Sequence, residues 1–366
     1  MKAFVVGAGI QGVPLAWALQ NKLGIETVLV ETDPTAMFTA QHKITTDMAG
    51  DLLGSCTELK DAEQFGEPDI VVSAAPFNVN INIATFCFNK GWRYCDLGGN
   101  PEVSKHINDM FKGQTRKKNS NCFTDLGLAP GYVNMMAEQA CQLKPDAKTV
   151  NMYCGGLSPD FFCDGAYSGA PQNSLRYART FSTQGLYNEY TGDCDVLENS
   201  EIIKRPALED RNIIRFPNYP TSGYSCSLES FNTKGGTAST LELMRRRGVQ
   251  NCRYQTLRWI GHLDFLKFML EECKMGLEEF TQAVENATPT AENDEAFIKV
   301  TADDLEECLI IKSDENWTAM QKGTSFPAAV VASLMADGRF DEKPSLDYSD
   351  PVSVEEFNER CAILEI

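Results

Sequence analysis

Apolar residues in the first third of the chain fall into short continuous runs, separated by stretches with helical spacing. Ala3-Phe4-Val5-Val6 runs into Gly7, and residues 13–22 follow with Leu15, Ala16, Leu19 and then Leu23 on one helical face. Pro14 falls in the first turn of that helix, where a missing N–H does no harm. Residues 26–30 read as a second strand, 43–46 as a weaker third, 69–74 as a fourth, 93–97 as a fifth and 121–126 as a sixth. Continuous apolar strands alternating with helices predict a parallel sheet covered on both faces, the doubly wound α/β architecture.

Beyond Leu126 the pattern changes. Segments 148–154 and 253–262 are longer and alternating, which predicts antiparallel strands, and 296–300 with 308–312 predicts a hairpin. Helices are expected at 175–184, 237–247 and 263–272. Residues 326–336 are apolar enough for a buried helix that returns to a domain interface. The expected division is therefore 1–126 as one domain and 127–324 as a second, α+β domain, with a C-terminal helix near 325–366 packing back on the first. At 366 residues two domains are also the natural expectation from length.

Composition narrows the partners. A formal net charge of -18 argues against nucleic acid and anionic membrane. The local cluster Asp303-Asp304-Leu305-Glu306-Glu307 reads as a solvated face. No apolar stretch approaches the roughly 18 to 20 residues that cross a bilayer, and Met1 leads straight into a strand-like run without a secretory signal pattern. The 13 cysteines are odd in number and contain no Cys-x-x-Cys pair. Reduced, mostly inert thiols in a cytoplasmic protein are expected, with no metal site.

The clearest chemistry lies at the first strand's end. Gly7-Ala8-Gly9-Ile10-Gln11-Gly12 is G-x-G-x-x-G between a strand and a helix. The first glycine permits the turn, the second lets backbone approach a pyrophosphate, and the third lets helix pack on strand. Glu31 closes the second strand, 24 positions after Gly7, and a carboxylate there accepts from a ribose 2′-OH and repels a 2′-phosphate. NAD is thus expected over NADP. Asp33 competes with Glu31 for this role, and nearby Lys43 leaves some NADP tolerance open. Asp47, just past the expected third strand, is a further cofactor candidate. Ala74 and Ala75 end the fourth strand with small residues, and Asp96, Leu97 and Gly98 end the fifth; strand carboxyl ends are where ligands sit in such sheets.

Four further motifs carry a resemblance. Asp125-Leu126-Gly127-Leu128-Ala129-Pro130-Gly131 and Tyr153-Cys154-Gly155-Gly156-Leu157 resemble the saccharopine dehydrogenase-like family. So do Lys234-Gly235-Gly236-Thr237-Ala238-Ser239-Thr240-Leu241 and Thr256-Leu257-Arg258-Trp259-Ile260-Gly261-His262. Within the family they are most similar to the lysine 6-dehydrogenase branch, because Ala129 stands where fungal saccharopine reductases typically carry aspartate. The resemblance implies a Rossmann-type NAD domain and an α+β domain that closes a cleft and supplies a dimer surface, in a homodimer or higher homo-oligomer. It also implies hydride transfer at an amine-bearing carbon. The leading expectation is oxidation of lysine at its ε-carbon to allysine and ammonia. The alternative is a reductase joining an aldehyde and an amine, as for saccharopine or carboxynorspermidine, and a non-catalytic NAD sensor is a second alternative.

Site candidates follow from these motifs. An amine must lose a proton before it can give up hydride, so a base is needed. His262 is one candidate; on the expected strand it shares a face with Arg258, which would hold a substrate carboxylate. Asp125 is the other candidate base, and Asp96 a further one; either equally fits a turn or cap. Cys154 and Gly155 are expected beside the substrate. Thr237 either points helix N–H groups at an anion or simply caps a helix. Tyr177 and Arg179 are possible substrate contacts in the helix expected at 175–184. The turn-rich stretch 158–172 is expected to shape the pocket.

Overall fold

The computed structural model describes all residues except 114–119, 160–174, 217–225, 236, 292 and 349–353. Contacts divide the described chain into two units, Met1–Tyr132 with Gln321–Ile366, and Val133–Met320.

The first unit opens with β1 (Lys2–Val6), α1 (Gly12–Trp17), β2 (Glu26–Val30), α2 (Pro34–His42), β3 (Gly54–Cys56), β4 (Ile70–Ser73), α3 (Phe77–Lys90), β5 (Tyr94–Asp96), α4 (Pro101–Lys112) and β6 (Cys122–Phe123). The six strands form a parallel sheet in the order β3-β2-β1-β4-β5-β6. The doubly wound arrangement read from the alternating pattern is what forms. On one face Phe4, Val28, Val71, Tyr94, Ala84, Cys87, Ile107 and Phe111 make a buried core.

One element differs from expectation. Residues 43–46 are not a strand: α2, capped by the Asp33 carboxylate, runs on into a π-helical turn at Lys43–Asp47. Met37, Ala40 and Ile44 are buried at helical spacing, and that burial overrides the β-branched character of Ile44-Thr45-Thr46. The third strand is instead Gly54–Cys56, a segment with no strand-like pattern. A side chain at Gly54 would strike the Phe65 ring at 2.4 Å, so close packing rather than β propensity selects it.

The second unit contains α5 (Tyr132–Leu143), which begins on the last residue of the first, β7 (Thr149–Leu157), α6 (Thr183–Tyr190), β8 (Asp193–Glu198), β9 (Glu201–Pro206), β10 (Asn212–Phe216), β11 (Cys226–Asn232), α7 (Ala238–Arg246), β12 (Asn251–Trp259), α8 (His262–Lys267), α9 (Leu277–Ala287), β13 (Glu295–Ala302) and β14 (Leu305–Lys312). Its mixed eight-stranded sheet runs β10-β11-β12-β7-β13-β14, with β8 beside β12 and β9 beside β8.

The hairpin β13–β14 forms in register, and β7 and β12 each run antiparallel to a neighbour, β13 and β11 respectively, while pairing parallel with each other. The helix expected at 175–184 starts only at Thr183, where the Ser182 hydroxyl caps it by accepting from Gly185 N–H. Before that, Arg179 runs extended and bridges to Thr290.

After the second unit the chain returns to the first. Helix α10 (Ala319–Ala336) lies there from Gln321 on, and α11 (Val354–Ile363) follows. Phe326 stacks on Trp17 at 6.0 Å. Leu346 N–H donates to Cys122 and Cys122 N–H to Pro344, so this segment extends the sheet beside β6. Arg93 holds Asp341 with a forked pair of bonds at 2.7 and 2.8 Å. Among the described residues no helix is long and apolar enough to cross a membrane.

Candidate functional site

Strand register alone assembles the nucleotide side. Val6 lies beside Val30 and Ser73, and Ser73 beside Asp96. The residues that follow each strand therefore form one row: Gly7 N–H donates to Val30, Ala74 N–H to Val6, Leu97 N–H to Ser73, and Leu126 N–H to Asp96. Glu31, Gly7, Ala74, Ala75, Leu97 and Gly98 stand along or just after this carboxyl edge, where ligands bind in such sheets.

Each glycine of the turn has its own reason. Gly7 has a φ of 101°, and a side chain there would press on the Ala74 backbone at 3.0 Å. A side chain at Gly12 would meet the Gly7 carbonyl oxygen at 1.8 Å, so only glycine lets α1 pack against the turn. Gly9 is different: nothing lies within 4 Å of where its side chain would be. The protein's own packing does not require glycine there, which leaves the open space before it as the reason. Ile10 beside it is 68% exposed. The turn is braced from α10, since Gln321 donates to the Ile10 carbonyl and Ser325 to that of Gln11. The Gln11 side-chain oxygen also lies 2.7 Å from Ser325. One hydroxyl has one proton, so the Gln11 amide must present its NH₂ to Ser325 instead.

Glu31 and Asp33 part company. The Glu31 Oε2 accepts from Ala8 N–H at 2.8 Å, and Oε1 accepts from Asp33 N–H at 2.9 Å and from the Thr32 hydroxyl at 3.3 Å, so its carboxylate fixes the turn and Oε2 keeps a lone pair. The Asp33 carboxylate caps α2, its Oδ1 accepting from the N–H groups of Thr35 and Ala36. Asp47 is exposed and 3.3 Å from His42; it is not part of the row.

At the far end of the row stands Asp125. It has a φ of 66°, a left-handed conformation that costs a non-glycine residue on the order of 1 kcal/mol. Its N–H donates to Asp96 at 3.2 Å, its carbonyl accepts from the Tyr348 hydroxyl, and its carboxylate accepts from Ser104 at 2.7 Å. Gly98 makes this possible, because a side chain there would sit 2.4 Å from the Asp125 carboxylate. Asp96 is buried and holds Gly98 N–H at 2.8 Å and the Tyr94 hydroxyl at 2.8 Å. Burial, with the Asp96 charge close by, pushes the Asp125 carboxyl up to about 7; Ser104 and Thr124 oppose this. Burial also raises Asp96, against the bonds it accepts.

The second unit holds the other candidates. The expected strand carrying both Arg258 and His262 does not exist: β12 ends at Trp259, Gly261 turns the chain at φ 104°, and His262 opens α8. The two residues still meet through Tyr190. Arg258 donates from Nε to the Tyr190 hydroxyl at 2.5 Å, from Nη1 to the Leu257 carbonyl, and from Nη2 to Glu189 at 3.2 Å. The rings of Tyr177 and Tyr190 lie 5.6 and 5.5 Å from its guanidinium carbon.

The hydrogen-bond chain has one consistent proton arrangement. A carbonyl only accepts, so His262 Nδ1 carries the proton and donates to Leu175 at 2.6 Å. Its Nε2 then accepts from Tyr190 at 3.2 Å. Burial and the Arg258 charge lower His262 to about 3. It is neutral at neutral pH, its one lone pair is taken, and it is 1% exposed. The geometry is that of a packing histidine. Each nitrogen of Arg258 likewise has a partner within the protein.

The remaining candidates find local explanations. Cys154 is buried, and its thiol is pushed up to about 12. A side chain at Gly155 would meet the Leu257 carbonyl oxygen at 2.2 Å, so β12 itself requires the glycine. Thr237 caps α7 by accepting from Thr240 N–H at 3.2 Å. Tyr177 is buried against Arg258, and Arg179 donates to Thr290 at 3.3 Å. Of the pocket-shaping stretch, 160–172 lies outside the described residues. Sequence reading missed Glu189, Tyr190, Ser104, Ser325 and Tyr348. No local pattern marks any of them, since each acts across a long chain separation. Among the described residues no group of three or more His, Cys, Asp or Glu side chains is arranged to hold a metal.

Comparison with known proteins bears on this geometry. Residues 127–359 match the family model described as the saccharopine dehydrogenase C-terminal domain. The glutamate-forming saccharopine dehydrogenase of Saccharomyces cerevisiae shares the fold, with a TM-score of 0.63 at 12% identity over 98% of this chain and 96% of that one. Myo-inositol 2-dehydrogenase from Lactobacillus plantarum is more distant, with a TM-score of 0.45 at 11% identity over 100% and 95% of the two chains. Amine dehydrogenase from Mycobacterium smegmatis gives 0.43 at 11% identity over 92% of each.

Proposed function

This chain belongs to the saccharopine dehydrogenase family, and from that premise we propose that it is an NAD-dependent amino-acid dehydrogenase acting on a carbon–nitrogen bond, with lysine oxidised at its ε-carbon. The observation that carries the nucleotide half is the row at the sheet's carboxyl edge, with open space before Gly9 and the Glu31 carboxylate at its end. The dinucleotide pyrophosphate would lie against Gly9 and the start of α1, and Glu31 would accept from ribose hydroxyls. A 2′-phosphate would meet that carboxylate's charge, so NAD is preferred to NADP.

Bound NAD⁺ supplies a two-electron acceptor for hydride. The chain's own part is to orient the amine and take its proton. Asp125 suits that part: it stands on the same edge, and its carboxyl, near 7, can both hold and release a proton at neutral pH. The balanced reaction takes a lysine ε-ammonium, NAD⁺ and water to allysine, ammonium, NADH and a proton. The resemblance at Ala129 supports lysine over saccharopine, and the occupied ring nitrogens of His262 support Asp125 as the base.

The test is a panel of amines and amino acids with NAD⁺ or NADP⁺, followed by NADH absorbance and ammonia release. Lysine with NAD⁺ should give both in equal amounts. Absence of both, with NADH consumed when an aldehyde and an amino acid are supplied together, would move the assignment to an imine-forming reductase. Nucleotide binding without any turnover would move it to a sensor.

A further inference from the structure

The C-terminal segment does more than cover a sheet edge. Tyr348 is 3% exposed, its ring lies 5.3 Å from that of Phe123, and its hydroxyl donates to the backbone carbonyl of Asp125. It is carried there by the strap on β6: Cys122 N–H to Pro344, Leu346 N–H to Cys122, and Ser345 to Asn108 at 2.9 Å. Asp125 meanwhile sits in a left-handed conformation, which costs a non-glycine residue on the order of 1 kcal/mol. Its N–H is tied to Asp96 and its carbonyl to Tyr348, so both peptide groups of the strained residue are held.

We infer that Tyr348 is a positioning residue: with Asp96 it locks the backbone of Asp125 so that the carboxylate stays at Ser104, beside Asp96, on the carboxyl edge of the sheet. This rests on the reading of Asp125 as the group that handles the proton. The titratable and charged neighbours are few. Asp96 faces Asp125 from β5 with Tyr94 behind it, Ser104 from α4, Thr124 from the preceding position in the chain, and Tyr348 from the strap with Asp347 next to it. Release of the carbonyl would let the residue relax out of the left-handed region and carry its carboxylate away from Asp96. The carboxyl would then titrate closer to an ordinary aspartate.

The experiment replaces Tyr348→Phe, which removes only the hydroxyl. In the nucleotide-free protein labelled with carboxyl-¹³C aspartate, the resonance lost in Asp125→Asn identifies the residue. Its titration should move from near pH 7 towards the usual carboxylate range in Tyr348→Phe. With the substrate found by the panel, kcat should fall roughly tenfold while both KM values stay within about twofold, because a hydrogen bond of ordinary strength is lost only at the proton-handling group. In an Asp125→Asn background, Tyr348→Phe should add no further loss.

Unchanged titration and unchanged kcat in a folded Tyr348→Phe protein overturn the inference. If that variant does not fold, Tyr348→His takes its place, since it keeps a ring but moves the donor away from the Asp125 carbonyl; there too an unmoved titration overturns it. Full turnover in Asp125→Asn instead overturns the reading of Asp125 as the base, and the titration alone then still decides whether Tyr348 positions it.

Discussion

Two polar clusters are buried in this molecule, and they are built to opposite ends. In the second unit Arg258, Tyr190, His262 and Glu189 form a chain in which each nitrogen of the arginine and histidine has a partner within the protein. In the first unit Asp96 and Asp125 bring two carboxylates together with few cations or N–H groups to neutralise them. The first arrangement uses up its polar capacity in holding β12, α6 and α8 together. The second leaves a proton poorly held, which is what a catalytic acid or base requires. Residue type alone ranks the histidine above the aspartate; saturation reverses the order.

The sharpest way to break this comparison is turnover. Asp125→Asn should lower kcat by ~10²-fold or more, within the range for loss of a general base. His262→Gln should lower it far less, and NADH should bind both variants as it binds the parent. Equal losses from the two would put both clusters in the chemistry.

Stability should separate them in the other direction. Arg258→Ala leaves Glu189 and Tyr190 without their partner in a buried site and should cost about 3 kcal/mol, the low end for a broken buried pair because Glu189 keeps some solvent. Denaturant unfolding of the second unit measures it. A loss of activity with no loss of stability would instead make Arg258 a substrate contact.

The pH dependence of melting carries opposite signs. Folding lowers His262 from 6.5 to about 3, so the unfolded chain binds the extra proton; that contribution is present above about 6.5 and is lost as pH falls towards 3. Folding raises Asp125 from 3.8 to about 7, so its contribution is present below about 3.8 and is lost as pH rises through 7. Melting temperatures of His262→Gln should thus drop less steeply on the acid side than those of the parent, whereas Asp125→Asn removes a loss of stability between about pH 3.8 and 7 and should steepen the rise to neutral pH. The same sign in both variants would contradict the assigned environments. The smallest effect expected is Thr237→Ala, about 1 kcal/mol from a lost helix cap with turnover unchanged.

How much of this was legible beforehand follows the range of the interactions. The glycine turn was readable because strand, turn and helix lie within a few residues, and Glu31 because it closes the next strand. Cofactor-side residues on strand ends were readable for the same reason. The strand at Gly54–Cys56 was hidden because its place depends on Phe65 packing rather than on its own composition. His262 misled because two-residue alternation was carried past Trp259, where Gly261 turns the chain. Tyr190 and Tyr348 could not be found at all, since one reaches across 68 positions to Arg258 and the other across 223 to Asp125.

The strap on β6 also orders events in time. Met1–Tyr132 leaves the ribosome well before Gln321–Ile366, with the whole second unit between them. At ~5–20 residues per second, the sheet edge at Cys122 stays uncovered for tens of seconds, with Phe123 and the Asp125 turn unbraced. The first unit thus has a nascent form with an open strand edge, and a chaperone has that interval in which to shield it.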